Sequence, residues 1–195
     1  MRLVANRGLV CQGGCDFLPS DGVFFVCYNV SRIQRRKVMK KFFQFVLAMI
    51  ISFIPGIFGV IFTPHNASDA WYNALNKSVL TPDGWVFGVA WTILYALLGW
   101  ALYLIISNDK TRISKARAYL LFAIQMILNF AWTYFYFGLH MVGTALVVLI
   151  GLIVVAIWMA NTFKPISKLA SYLVWPYIIW MLFATYLNAS ILFLN

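Results

Sequence analysis

From residue 42 onward the pattern of apolar and polar positions resolves into five long apolar runs separated by short polar breaks. They cover Phe42–Phe62, Trp85–Ser107, Ala118–Leu139, Met141–Phe163 and Leu169–Leu194, and none contains Asp, Glu, Lys or Arg. A helix rising about 1.5 Å per residue crosses the roughly 30 Å hydrocarbon core of a bilayer in about 20 apolar residues. A charge at mid-bilayer costs at least about 2.5–3.5 kcal/mol, so the missing charges separate membrane spans from buried helices of soluble proteins. A transmembrane barrel would instead show alternating segments of roughly ten residues. The pattern predicts an all-α integral membrane bundle of five transmembrane helices over residues 42–195, preceded by a flexible extension over residues 1–41.

Within the runs, polar and aromatic residues recur at helical spacing. Gln125, Asn129, Trp132 and Tyr136 fall at i, i+4, i+7 and i+11 of the third span, on one face. Tyr177, Trp180, Ala184 and Asn188 repeat this in the fifth, after Pro176, whose missing N–H invites a kink. The second span carries Trp91 and Tyr95 one turn apart, with Gly88 and Gly99 on roughly the same side. In lipid, amides, hydroxyls and small residues gather where helices meet or line a cavity. Taken one at a time, such residues more often pack helices or anchor them at the headgroups. Trp91, Asn129 and Trp180 lie inside their spans, however, and fit a cavity better than an interfacial belt. Walls of indole, phenol and amide suit a flat, largely apolar ligand held by stacking and oriented by a few hydrogen bonds.

Composition agrees with the membrane class: 63% of the 195 residues are apolar and 10% are charged. The net charge of +10 reads as topology, and nucleic acid is not an expected partner. Arg2, Arg7, Arg32, Arg35, Arg36, Lys37, Lys40 and Lys41 precede the first span. Lys110, Arg112, Lys115 and Arg117 follow the second, and Lys164 and Lys168 follow the fourth, so Lys77 stands alone on the other side. The positive-inside rule then places the N-terminus on the cytoplasmic side, with anionic lipid as a further attraction. The spans hold no carboxylate or base, which argues against an ion-coupled transporter and a conventional hydrolase.

Residues 1–41 mix Gly, Asn, Ser and Cys with basic residues, and Met39-Lys40-Lys41 resembles a natural start before an apolar run. Gly22–Val30 is too short for a convincing signal core. Cys11, Cys15 and Cys27 fit neither a Cys-x-x-Cys pair nor a zinc set, and His65 and His140 are single histidines at span ends, so no metal is expected. The connection of about Thr63–Gly84 is the longest between spans. Its Trp71-Tyr72 pair and Thr81-Pro82-Asp83-Gly84 turn suggest an ordered cover.

Over about Met39–Asn195 the chain resembles the TspO/MBR family, the tryptophan-rich sensory proteins of bacteria and the mitochondrial translocator protein or peripheral-type benzodiazepine receptor. The likeness rests on Trp71-Tyr72-Asn73-Ala74-Leu75-Asn76-Lys77, Trp85-Val86-Phe87 leading into Trp91-Thr92-Ile93-Leu94-Tyr95, and Gln125 through Asn129 to Trp132. It closes with Pro176-Tyr177-Ile178-Ile179-Trp180 and Phe183-Ala184-Thr185-Tyr186-Leu187-Asn188. The resemblance implies a five-helix homodimer with a pocket in each subunit, closed by the first loop. It also implies porphyrin-type tetrapyrroles (protoporphyrin IX, haem) as ligands, with sterols and isoquinoline carboxamide or benzodiazepine-type drugs in some members, and no required cofactor. Carried over, the pocket includes Tyr72, Trp91, Asn129, Trp180, Ala184 and Asn188, to which the stripes add Tyr95 and Trp132. The chain departs from the family where Lys77-Ser78-Val79-Leu80-Thr81-Pro82-Asp83 replaces a more proline-rich loop with its own Trp, and where no basic residue follows Tyr186 to complete a sterol motif.

The expected function is a membrane receptor or sensor that binds porphyrin-type tetrapyrroles and regulates their metabolism or a stress response, in a bacterial cell membrane in preference to the mitochondrial outer membrane. The alternatives are a transporter of tetrapyrroles or sterols, and light- and oxygen-dependent degradation of protoporphyrin. No catalytic residue is assigned unless such degradation occurs, in which case Trp91 and Trp180 match the indoles implicated.

Overall fold

The computed structural model describes residues 30–63, 70–108 and 112–195, with side chains not described at 30–33 and 112–114. Cys11, Cys15, Cys27 and His65 lie outside the described residues. The described chain forms α1 (Val30–Gly59), α2 (Ala70–Ala74), α3 (Gly84–Ser107), α4 (Arg112–Thr133) with a π-helical turn at Tyr134–Gly138, α5 (Val142–Phe163) and α6 (Lys168–Leu194). Among the described residues five stretches are long and apolar enough to cross a bilayer: Gln34–Gly59, Gly84–Ser107, Lys115–Gly138, Val142–Phe163 and Lys168–Leu194. The chain is an integral, multi-pass membrane protein.

Two boundaries differ from expectation. Helix α1 begins at Val30, inside the segment expected to be an extension. Between Val30 and the apolar run there is no Gly or Pro, and Arg, Lys, Gln and Met are good helix formers. The third span does not continue as a plain α-helix to Leu139 but widens into the π turn. His140 follows with φ of 56°, and the Met141 N–H donates to the Phe135 carbonyl at 2.8 Å.

Contacts divide the chain into two units, Met1–Phe43 and Gln44–Asn195. In the first unit every described side chain from Gln34 to Phe43 is exposed. In the second, α5 packs extensively on both α4 and α6, and α6 packs on α3. Helix α5 shows the logic: Ala145, Leu149, Leu152, Ala156 and Met159 are buried at helical spacing, while Val147, Ile150, Val154, Ile157 and Trp158 face outward. In water such an apolar exterior would be an aggregation surface; in lipid it is the solvated face. Helices α1 and α3 approach closely at Gly99, where a Cβ would fall 2.7 Å from both Met49 Sδ and Ser52 Oγ. Gly88, expected on the same side, is exposed and has open space around it.

The turns are tied by polar groups. Ser167 caps α6, its Oγ accepting from the Ala170 N–H at 3.3 Å. Asn108, after α3, donates through Nδ2 to the Ile166 carbonyl at 2.9 Å, joining the α3–α4 and α5–α6 connections.

Candidate functional site

The polar stripe of α4 faces inward as its spacing predicts: Gln125, Asn129, Trp132 and Tyr136 are all buried. Asn129 joins three helices. The Tyr95 hydroxyl of α3 donates to Asn129 Oδ1 at 2.8 Å, and Asn129 Nδ2 donates to the Tyr177 hydroxyl of α6 at 3.1 Å. Both amide atoms are therefore used, as a buried amide in a membrane demands.

Beside this node the rings form a ladder. Trp91 stacks on Tyr95 with centroids 5.3 Å apart and on Trp132 at 5.9 Å, each pair inclined by 30°. Trp132 stacks on Tyr136 at 5.8 Å. The structure thus brings together Trp91, Tyr95, Asn129 and Trp132, with rings lying against rings between the helices. Tyr177 completes the node, although sequence reasoning did not single it out as a site residue. Its position three residues before Trp180 in the α6 stripe was the available signal.

Trp180 belongs to a second group, with Phe87 at 5.9 Å and Phe183 at 5.6 Å. It also walls an open groove of about 520 Å³ between α3 and α6, lined by Ala90, Ile93, Leu94, Leu97, Pro176, Ile179 and Phe183 as well. That volume is within the usual range of small-molecule pockets, and the lining is almost wholly carbon. Ala184 and Asn188 continue the buried face of α6.

Several buried polar atoms of α4 and α6 have no hydrogen-bond partner among the described residues: Trp132 Nε1, Trp180 Nε1 and both amide atoms of Asn188. A buried donor or acceptor left unmade costs about 1–3 kcal/mol, so each of them calls for an explanation such as a ligand or ordered water.

The part of the connection that follows residue 70 is tied to the helices around it. On α2, Trp71 stacks on His140 with centroids 3.9 Å apart and rings within 9° of parallel, and meets Tyr136 edge-on at 5.9 Å. Tyr72 packs on Phe137 at 6.0 Å, and Lys77 Nζ sits 3.9 Å from the Tyr72 ring centroid. Burial pushes the Tyr72 phenol above its ordinary range, so it remains a neutral hydroxyl. Further on, the Ser78 and Tyr186 hydroxyls share a 2.9 Å hydrogen bond. The Asn76 N–H donates to Asn195 Oδ1 at 2.8 Å, and Asn195 Nδ2 returns a bond to the Asn76 carbonyl at 3.1 Å. No local pattern in the sequence announced α2, the His140 stack or these ties.

The TspO/MBR family model matches residues 46–194, which takes in α3 to α6 and most of the apolar part of α1. The chain is 35% identical over 158 residues to the tryptophan-rich protein TspO of Chlorobaculum tepidum, covering 80% of this chain and 98% of that one. It is 39% identical over 140 residues to the protein of the same name from Archaeoglobus fulgidus, covering 72% and 89%. Against the human translocator protein the identity is 34% over 125 residues, or 64% of this chain and 74% of the relative. With its five spans, its indole-rich interior and a match over most of its length, the chain belongs to the TspO/MBR family.

Proposed function

We propose that this protein is a membrane receptor for porphyrin-type tetrapyrroles, which it binds among the aromatic residues of α3, α4 and α6 beneath the α2 connection. The observation that carries this reading is the set of buried, unpartnered polar atoms: Trp132 Nε1 and Trp180 Nε1, each within a group of packed rings, and the Asn188 amide on the buried face of α6. A flat, largely apolar ligand with a few acceptors and donors is the chemistry that would satisfy them. The ligand takes its stacking partners by parting rings that otherwise lie on each other, and it arrives through the carbon-lined groove beside Trp180, which offers an apolar molecule a path from lipid.

Lys77 adds a preference within that class. It is the one basic residue of the sequence outside the set on the opposite side, and it is held over Tyr72 by its ring face. An ammonium there favours a ligand bearing a carboxylate at its edge. Propionate-bearing tetrapyrroles have one; a sterol does not.

Titrating protoporphyrin IX into the reconstituted protein while following tryptophan fluorescence tests the site. Saturable quenching is expected, weakened at least about tenfold by the Trp91→Phe, Trp180→Phe double substitution, as loss of stacking and of one hydrogen bond implies. Equal affinity in the double variant would remove the site. Lys77→Gln should weaken protoporphyrin IX and leave its dimethyl ester unaffected.

A further inference from the structure

We infer that the exposed cationic start of α1, Arg35 to Lys41, is a binding surface for anionic lipid headgroups. Arg35, Arg36, Lys37, Lys40 and Lys41 are all exposed, and no Asp or Glu lies between Asp21 and Asp69 in the sequence to neutralise them. Arg36 and Lys40 are one helical turn apart, as are Lys37 and Lys41. Like charges at that spacing repel and weaken an isolated helix, so this turn-upon-turn array is most stable where external anions lie alongside it. Lys41 is followed directly by the apolar run, and at about 1.5 Å per residue none of the five is more than about 10 Å along the helix from it. That is the depth of the headgroup layer and its ionic atmosphere. Phe42 and Phe43, exposed and edge-packed at 6.4 Å, open the apolar run directly after the last of these cations.

Neither orientation nor family membership accounts for this cluster. The family match begins at residue 46, beyond it. Without these five charges, nine of the ten remaining basic residues would still lie on one side, enough to orient the chain. Density is the distinguishing feature: five cations in seven residues. Phosphate oxygens of anionic lipids are the partner that the charge and the adjacent span both select, and several neighbouring headgroups are engaged at once.

The test uses the full chain reconstituted in phosphatidylcholine bilayers, with spin-labelled phosphatidylglycerol and phosphatidylcholine competing for its surface. The expected preference for the anionic lipid is on the order of five-fold, what roughly one basic residue's attraction supplies per bound lipid. It should fall towards none in about 1 M salt, where screening acts within about 3 Å. It should fall likewise in the variant with Arg35→Gln, Arg36→Gln, Lys37→Gln, Lys40→Gln and Lys41→Gln, and persist when the three lysines become arginine. Soluble phosphate at matched ionic strength should leave it unchanged. If the glutamine variant does not reconstitute, the salt dependence of the unaltered protein decides the matter. No preference in the unaltered protein, a preference that survives salt or the five substitutions, displacement by soluble phosphate, or tighter binding of an oligonucleotide than of anionic liposomes through the same residues would each overturn the inference.

Discussion

Two asparagines, one on α4 and one on α6, are equally buried and differently employed. Asn129 uses both amide atoms, accepting from Tyr95 and donating to Tyr177, and so links three helices. Asn188 is 2% exposed and uses neither among the described residues. In a bilayer, where no water competes for these groups, the first arrangement is a joint between helices. The contrast separates an amide that holds the bundle together from one whose hydrogen-bonding capacity is left over, although the two are almost equally buried.

The largest effect is expected at the joint. Asn129→Ala removes the bonds to the Tyr95 and Tyr177 hydroxyls and should lower stability by about 1–3 kcal/mol, measured by unfolding in mixed micelles. A double-mutant cycle with Tyr95→Phe should show strong coupling, since either change removes the same bond. If Asn129→Ala were as stable as the unaltered protein, the joint would be no joint.

Gly56 guards the same node from α1. A Cβ there would fall 2.6 Å from Tyr95 Cε2, and the ring cannot swing freely because its hydroxyl is bound to Asn129. Gly56→Val is therefore expected to cost about 1–3 kcal/mol through overpacking. The loss should shrink in a Tyr95→Ala background, where the obstacle is gone.

Asn188→Leu should move the other way. Replacing an unpartnered buried amide by an apolar group of similar size is expected to leave stability unchanged or raise it by about 1 kcal/mol. The same substitution should weaken protoporphyrin IX by about tenfold, one hydrogen bond's worth. Destabilisation by Asn188→Leu would mean that the amide has a structural partner after all, and the contrast with Asn129 would collapse.

Much of this bundle was legible because its solvent writes a simple rule. Runs free of charge marked the spans, and the α4 stripe from Gln125 to Tyr136 marked an inward face that survives the π turn, since only Tyr136 of the four falls within it. The start of α1 was missed because a polar, basic segment with good helix formers lacks the apolar periodicity by which helices are recognised. The division of labour between Asn129 and Asn188 was not legible at all. Spacing says that a residue faces inward, but whether it meets a hydroxyl depends on side chains of other helices. The loop's ties were hidden for the same reason, because Asn76 and Ser78 find partners more than a hundred residues away.

Those ties supply the smallest and most selective prediction. Ser78 and Tyr186 share a single exposed hydrogen bond between the connection and α6, so Tyr186→Phe should change global stability by no more than a few tenths of a kcal/mol. If the connection covers the ligand, loosening it should act on escape: the dissociation rate rises a few-fold while the association rate stays within a factor of about two, as stopped-flow fluorescence would measure. Trp71→Ala, which removes the stack on His140 and the edge contact with Tyr136, should accelerate escape further. Equal dissociation rates in both variants and the unaltered protein would leave the connection as a tethered strap and confine the function to the rings and amides beneath it.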